Sequence, residues 1–93
     1  MPFTFDLTDQ LRETLEKLAK KDSRRSEIIR KKIQEIIESD GDAIEHYKNL
    51  RHDLSDYKRV HIDRSFVLIF RVFKKERHVL FVQFDHHDRV YRR

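Results

Sequence analysis

The stretch FVLIFRVFKKERHVLFVQFD, residues 66–85, decides the fold class of this chain. Its first eight residues are apolar on both faces apart from Arg71, which is typical of a central β-strand. Residues 74–76 are polar, and residues 77–85 are again rich in apolar side chains. Two apolar runs joined by three polar residues predict a β-hairpin.

A third strand is predicted just upstream, at residues 57–62. Side chains alternate between the two faces of a strand. If Val60 and Ile62 face a core, then Arg59 and His61 point to the opposite side of the sheet. The second half of the chain therefore predicts three consecutive strands.

The first half predicts one strand and two helices. Residues 3–7 alternate apolar and polar side chains, and Thr8 can cap a helix that ends near residues 20–21. A second helix is predicted from about Arg24 to Glu38, and a short helical pattern covers residues 43–50. Because residues 22–23 form so short a connection, the two main helices must lie antiparallel. The apolar faces of the two helices consist of Leu7, Leu11, Leu15 and Leu18, and of Ile28, Ile29, Ile33, Ile36 and Ile37.

The predicted fold class is α+β, with an N-terminal strand and an α-helical hairpin packed on a small antiparallel sheet. The length of 93 residues predicts a single domain covering residues 1–93. Without cysteine the chain can form neither a disulfide nor a thiolate metal site, and a reducing cytoplasm is the expected location. No signal peptide is visible and no apolar run approaches about 20 residues, so no membrane partner is expected.

The C-terminal residues 85–92, DHHDRVYR, form a dense polar cluster directly after an apolar strand. Imidazole has an unperturbed pKa of about 6.5, which suits proton transfer near neutral pH. The net charge is +4, and the second half of the chain carries all of the positive excess. These features favour acid–base chemistry on an anionic partner.

Each histidine also has a purely structural interpretation. His87 can be a surface residue that pairs with Asp88, and an outward histidine on a strand, such as His61, is more often solvated than catalytic. His46, His78 and His86 are interpreted as structural. A metal site formed by His86, His87 and Asp88 is conceivable because imidazole and carboxylate bind zinc. Adjacent residues rarely aim at one ion, so no metal or other cofactor is predicted.

Two segments resemble those of a known family of toxins. The first runs from His52-Asp53-Leu54 through residues 57–62 to residues 66–70, and the second is residues 87–91. Together with the order of elements, they resemble the RelE/ParE superfamily of toxin–antitoxin pairs, and most closely its YafQ-like or archaeal RelE-like branch. The resemblance spans the whole chain in architecture and residues 52–91 in motif. Ser65 departs from the aspartate of that branch, and Val67 departs from a catalytic arginine of RelE.

The resemblance implies a RelE-like, microbial-ribonuclease-type fold and a ribosome-dependent, metal-independent endoribonuclease that cleaves messenger RNA in the ribosomal A site. It also implies a cognate antitoxin as partner. The catalytic residues carried over by position are His52, His61, His87 and Tyr91. The residues predicted to bind RNA are Lys58, Arg59, Phe66 and Arg89.

Two other functions remain open on the sequence. A ParE-like toxin disables DNA gyrase by binding it and needs no catalytic residues. An inactive relative would bind only its antitoxin or RNA. The three histidines at matching positions favour the ribonuclease, whereas codon preference and oligomeric state are not encoded in any recognisable pattern.

Overall fold

Four strands and four helices make up the described part of the chain. The computed structural model describes residues 2–50 and 56–91, with the backbone alone at Tyr91. The elements in chain order are β1 (Thr4–Leu7), α1 (Asp9–Lys21), α2 (Ser23–Ile37), α3 (Gly41–Glu45), β2 (Tyr57–Ile62), β3 (Phe66–Phe73), β4 (His78–His86) and α4 (His87–Tyr91). The predicted α+β class, with a helical hairpin ahead of three strands, is confirmed.

The strands form one sheet in the order β1-β4-β3-β2. The pairs β2–β3 and β3–β4 are antiparallel as predicted, whereas β1 runs parallel to β4 at the edge of the sheet. A parallel pair requires a long crossover connection. Here the chain between β1 and β4 includes α1, α2 and the other two strands, which is ample length for the crossover.

The main core lies between one face of the sheet and the helical hairpin. The helices contribute the isoleucine stripe of α2 and Leu11 of α1, which is the set that helical spacing predicts. Phe70 and Phe81, at the centre of the sheet, are fully buried and pack at a centroid separation of 5.8 Å. Burial of one such side chain contributes roughly 1.5–3 kcal/mol relative to its exposure. Apolar burial on this face therefore orients the whole sheet.

Side-chain caps set the ends of the two long helices. The Thr8 hydroxyl accepts from the Leu11 amide at 3.1 Å and donates to the Val82 carbonyl at 2.7 Å, which ties the start of α1 to β4. Asp22 is the single residue between α1 and α2, and its carboxylate accepts from the Arg25 amide at 3.0 Å. The predicted cap at Thr8 is therefore confirmed.

The third helix is shifted from its predicted position. Its carboxylate cap is Asp40, which accepts from the Ala43 amide at 2.7 Å. This cap starts α3 at Gly41. The helix ends at Glu45, and beyond it Asn49 forms an isolated bridge with Lys58 of β2 instead of a further helical turn. The apolar spacing of residues 44, 47 and 50 was a weaker signal than the cap.

The C-terminal helix α4 was not predicted. The amide of His87 donates to the carbonyl of Ser65 at 2.8 Å, so the chain leaves β4 beside the start of β3. From there α4 packs on both strands. Five residues are too few to show a helical hydrophobic period. In residues 2–50 and 56–91, no helix is both long and apolar enough to cross a lipid bilayer.

Candidate active site on the distal face of the sheet

Strands β2 and β4 place polar side chains on the face of the sheet that points away from α1 and α2, here called the distal face, and β3 between them contributes apolar ones. In one row, His61 of β2 lies opposite Val67 of β3, which lies opposite Asp85 of β4. Neighbouring strands are about 4.8 Å apart, so the backbones of His61 and Asp85 are roughly 10 Å apart. The next row consists of Arg59, Ile69 and Gln83.

His61 points away from the core, as the strand alternation predicts. Its two neighbours Val60 and Ile62 pack on the helical side, whereas the His61 side chain is exposed. Its ring forms no hydrogen bond or ion pair with another residue that the structure describes. Both of its ring nitrogens are therefore accessible to a ligand on the distal face. Arg59, on the same face, is half-buried.

His87 reaches the same end of the sheet by a different route. It is the first residue of α4, and its backbone amide donates a hydrogen bond to the carbonyl of Ser65, in the turn between β2 and β3. Its ring stacks on that of His86, with centroids 4.8 Å apart and planes 25° from parallel. The side chain remains 40% exposed. In the described residues no hydrogen bond or ion pair joins His61 and His87, so the two histidines share an end of the sheet without being partners.

A shallow pocket of about 270 Å³ lies between α4 and the distal face. At its rim, the guanidinium of Arg89 lies 3.7 Å from the carboxylate of Asp85 and is mostly exposed. Aromatic, aliphatic and amide side chains together suit a flat heterocycle that stacks on one side and forms hydrogen bonds at its edge. The pocket is lined by Leu50, Tyr57, Ile69, Val82, Gln83, Arg89 and Val90.

The family of the chain follows from its match to a family model. Residues 5–91, almost the whole chain, match the model described as the ParE toxin of the type II toxin–antitoxin system parDE. The chain is a toxin of the RelE/ParE superfamily. The superfamily predicted from the sequence is thus confirmed.

Individual relatives of this toxin agree with the family match. A Methanocaldococcus jannaschii protein named "Putative toxin RelE4" is 45% identical over 91 residues, which cover 98% of this chain and 93% of that protein. An uncharacterized protein of Methanosarcina mazei is 41% identical over 85 residues, covering 91% and 94% respectively.

Solved structures share the fold of this toxin. A double mutant of the Escherichia coli toxin RelE in the free state superimposes with a TM-score of 0.73 at 23% identity, over 96% of this chain and 87% of that one. The RelBE2 toxin–antitoxin complex of Mycobacterium tuberculosis gives a TM-score of 0.61 at 22% identity, over 92% and 99%. The finer placement in the YafQ-like branch stays a prediction.

Lys58 of the toxin does not fit its predicted role in RNA binding. It lies on the helical side of β2, opposite Phe70, and is only 7% exposed. Its ammonium donates to the carbonyls of Glu45 and Tyr47 at 3.2 and 3.0 Å and to the Asn49 side-chain oxygen at 3.1 Å. With three acceptors around it, this amine holds the segment after α3 against the sheet and is not available to a phosphate.

Phe66, the aromatic candidate for RNA binding, is part of an aromatic stack on the helical side of the sheet. Its ring lies 5.2 Å from that of Phe84, nearly parallel, and the Arg25 guanidinium covers it at 4.4 Å. The ring of His86 meets it edge-on at 5.6 Å. These neighbours occupy Phe66 from several sides, which matches its structural interpretation better than base stacking.

Two of the predicted catalytic residues cannot be placed. His52 lies outside the described residues, and the same is true of the Tyr91 side chain, although the Tyr91 backbone ends α4. His61, His87, Arg59 and Arg89 are the predicted site residues that the structure brings to the distal face or its edge. Their roles remain predictions.

Sequence reasoning missed two polar residues of the distal face, Gln83 and Asp85. Both belong to β4, and Asp85 accepts from the His86 amide at 2.8 Å besides pairing with Arg89. Register places them opposite Ile69 and Val67, in the rows of Arg59 and His61. Their signal in the sequence is weak, because a β-bulge opposite residues 69–70 shifts the alternation of β4.

Proposed function

We propose that this toxin is an endoribonuclease that cleaves messenger RNA on the ribosome and so inhibits translation. The observation that carries the proposal is the placement of His61 and His87 at the same end of the sheet, where the His61 side chain is exposed and that of His87 is 40% exposed. Two imidazoles at one site match the need of RNA cleavage for a base and an acid. The two histidines come from elements far apart in sequence, and only the fold brings them to the same end of the sheet.

The reaction uses the 2′-hydroxyl of the RNA as its nucleophile. One imidazole takes the proton of this hydroxyl while the oxygen bonds to phosphorus, and the bond from phosphorus to the 5′-oxygen breaks. The other imidazole gives a proton to the leaving 5′-oxygen, so the products are a 2′,3′-cyclic phosphate and a free 5′-hydroxyl. Each proton transfer by a positioned side chain contributes about 10²–10⁴-fold in rate, and no metal ion takes part.

The cations of the distal face complete this site. Arg59 and Arg89 lie beside the histidines and are proposed to bind phosphate oxygens, for which the planar guanidinium is the better two-pronged donor. A nucleobase is proposed to enter the pocket beside α4. His52 and Tyr91 remain proposed members of the site, on the strength of the family resemblance alone.

The proposed partner is a cognate antitoxin. The family is defined by toxin–antitoxin pairs, and one structure of the same fold is a RelBE2 complex. We expect an acidic or amphipathic segment of the antitoxin to cover the basic, histidine-bearing face. Because ribosomes and messenger RNA are the proposed targets, the proposed place of action is the cytoplasm.

A second candidate function is favoured by the name of the matching family model. That model is described as a ParE toxin, and the alternative derived from the sequence is inhibition of DNA gyrase by binding. This function requires no catalytic histidine. It therefore predicts that loss of either imidazole leaves toxicity intact.

Cleavage of a defined message in a reconstituted translation system tests the proposal. Wild-type toxin should cut the message only when ribosomes are present, with cut sites mapped by primer extension. His87→Ala and His61→Ala should each reduce the cleavage rate by about 100-fold or more, while antitoxin binding is retained. The matched control is His46→Ala, which removes another exposed histidine, at the end of α3.

Three outcomes separate the candidates. Full activity of His87→Ala contradicts the proposed mechanism. An intact message together with inhibited DNA supercoiling supports the ParE-like function. Absence of both activities, with the antitoxin still bound, identifies an inactive relative.

A further inference from the structure

Next to the active site, three adjacent residues bring their ligand atoms together. The Nδ1 atom of His86 lies 3.6 Å from one carboxylate oxygen of Asp88, and the Nδ1 atom of His87 lies 3.2 Å from the other. The potential ligand atoms of all three side chains lie within 4.8 Å of one another. In the described residues, this is the one group of three or more such side chains close enough to hold a metal ion.

The change from strand to helix explains why adjacent residues converge. In a continuous strand, His86 and His87 would point to opposite faces. The strand ends at His86 and α4 begins at His87, so both rings instead turn to one side and stack. The expectation that neighbouring residues do not aim at one ion applies to a straight strand, and this chain bends between them.

The two nitrogen–oxygen distances are close to those in a tetrahedral transition-metal site, whereas the full set of ligand atoms, which spreads over as much as 4.8 Å, would draw together around an ion. With metal–ligand distances of about 2.0–2.1 Å, neighbouring ligand atoms of a tetrahedron are about 3.3–3.4 Å apart. The two nitrogen–oxygen distances, 3.2 and 3.6 Å, fall on either side of this value. The Asp88 side chain is 73% exposed, so a small rotation can turn one oxygen toward both rings.

The lone pair of His86 already points into the cluster. Its Nδ1 accepts from the Asp88 amide at 3.2 Å, which places the proton of the neutral ring on Nε2. This lone pair would coordinate a bound metal ion and would then no longer accept the hydrogen bond from the Asp88 amide. Without an ion, the Nδ1 atom of His86 and a carboxylate oxygen of Asp88 face each other at 3.6 Å as two acceptors. A cation between them stabilises this arrangement.

The ring of His86 is also held in place from behind. It packs edge-on against Phe66, which is itself stacked between Phe84 and the Arg25 guanidinium. The nearest basic residue along α4, Arg89, pairs with Asp85 and not with Asp88. The cluster is thus positioned by packing and keeps its carboxylate for a ligand.

We propose that His86, His87 and Asp88 bind a Zn²⁺ ion, with water in the fourth position. Because His87 is also a proposed catalytic residue, a bound ion removes an imidazole from proton transfer. Zinc is therefore an inhibitor of the proposed ribonuclease, and this second part rests on the proposed function. The binding itself does not.

Zinc binding is tested on the untagged toxin by calorimetric titration and by competition with a chromogenic chelator. We expect one ion per chain. His86→Phe, which keeps an aromatic ring against Phe66, and Asp88→Asn should each weaken binding by at least about tenfold. The control His46→Ala should bind as wild type, and far-ultraviolet circular dichroism checks that each variant is folded. Equal affinity of wild type and His86→Phe overturns the site, as does absence of binding to a folded wild type.

A second measurement follows RNA cleavage with and without zinc, and each variant is compared with its own metal-free rate. Wild type should lose most of its activity at saturating zinc, whereas His86→Phe should keep most of its own. Zinc binding without any RNA cleavage leaves the metal site standing and refutes the proposed function. RNA cleavage that saturating zinc does not alter refutes the inhibition.

Discussion

The buried amine of Lys58 separates a structural role from a role in RNA binding. Replacement by Met keeps an unbranched apolar side chain as far as the ε position and removes the ammonium, with its charge and its three donors. Hydrogen bonds to charged groups contribute about 1.5–3 kcal/mol each, and removal of one partner leaves buried acceptors unsatisfied. Removal of the ammonium also abolishes its own cost of desolvation, which offsets part of the loss. We therefore expect Lys58→Met to lower the free energy of unfolding by about 2–4 kcal/mol.

Urea unfolding followed by circular dichroism measures this change. With an m value of about 2 kcal/mol/M for a chain of this size, the midpoint should fall by about 1–2 M. The control is Lys48→Met, because Lys48 is an exposed lysine in the segment that Lys58 holds. It should change stability by no more than about 0.5 kcal/mol. Both variants are made in a His87→Ala background, which limits toxicity during expression.

An unchanged midpoint for Lys58→Met would refute the structural role. If that variant kept its stability and lost affinity for RNA, the prediction made from the sequence would be restored. Reduced stability, together with a normal affinity of the folded molecules for RNA, supports the structural role of Lys58.

Two further predictions concern single carboxylates. Asp22→Ala removes the side-chain cap of α2 and should lower the free energy of unfolding by about 1 kcal/mol. The same urea titration measures this change. A loss below about 0.3 kcal/mol would show that water replaces the cap. Asp85→Asn keeps an acceptor for the His86 amide but removes the charge that orients Arg89. This variant should cleave RNA about tenfold more slowly, which corresponds to an increase of about 1.4 kcal/mol in the activation free energy. Its urea midpoint should not change. An unchanged cleavage rate would exclude Asp85 from the site.

Periodic patterns predicted most of the fold because they report which side of each element is buried. The predicted boundaries of β2 and β3 match the structure, and the cap at Thr8 and the isoleucine stripe of α2 occur as expected. Errors lie where burial does not govern the local structure. The short helix α3 follows its cap at Asp40, and α4 is too short to have a period.

Candidate site residues were predicted with less success, for a related reason. His61 lies where alternation along β2 places it. Lys58 was misassigned because its charge was given more weight than the alternation of β2, which puts it on the same face as Val60 and Ile62. Nothing in the sequence shows that three oxygens surround its amine. Asp85 was missed as a site residue because the β-bulge that precedes it shifts the alternation of β4 and so conceals the face on which it lies.

The sequence by itself determined the family, the order of elements and which side of each element faces the core, since all of these depend on short-range spacing. Only the tertiary structure decided that β1 runs parallel to β4, that three oxygens surround the Lys58 amine, and that His61 and His87 lie at the same end of the sheet. It also decided that His86, His87 and Asp88 converge. Such contacts depend on strand register and on the direction in which the chain turns after β4. Both result from packing between residues that are distant in the sequence, and no local pattern records them.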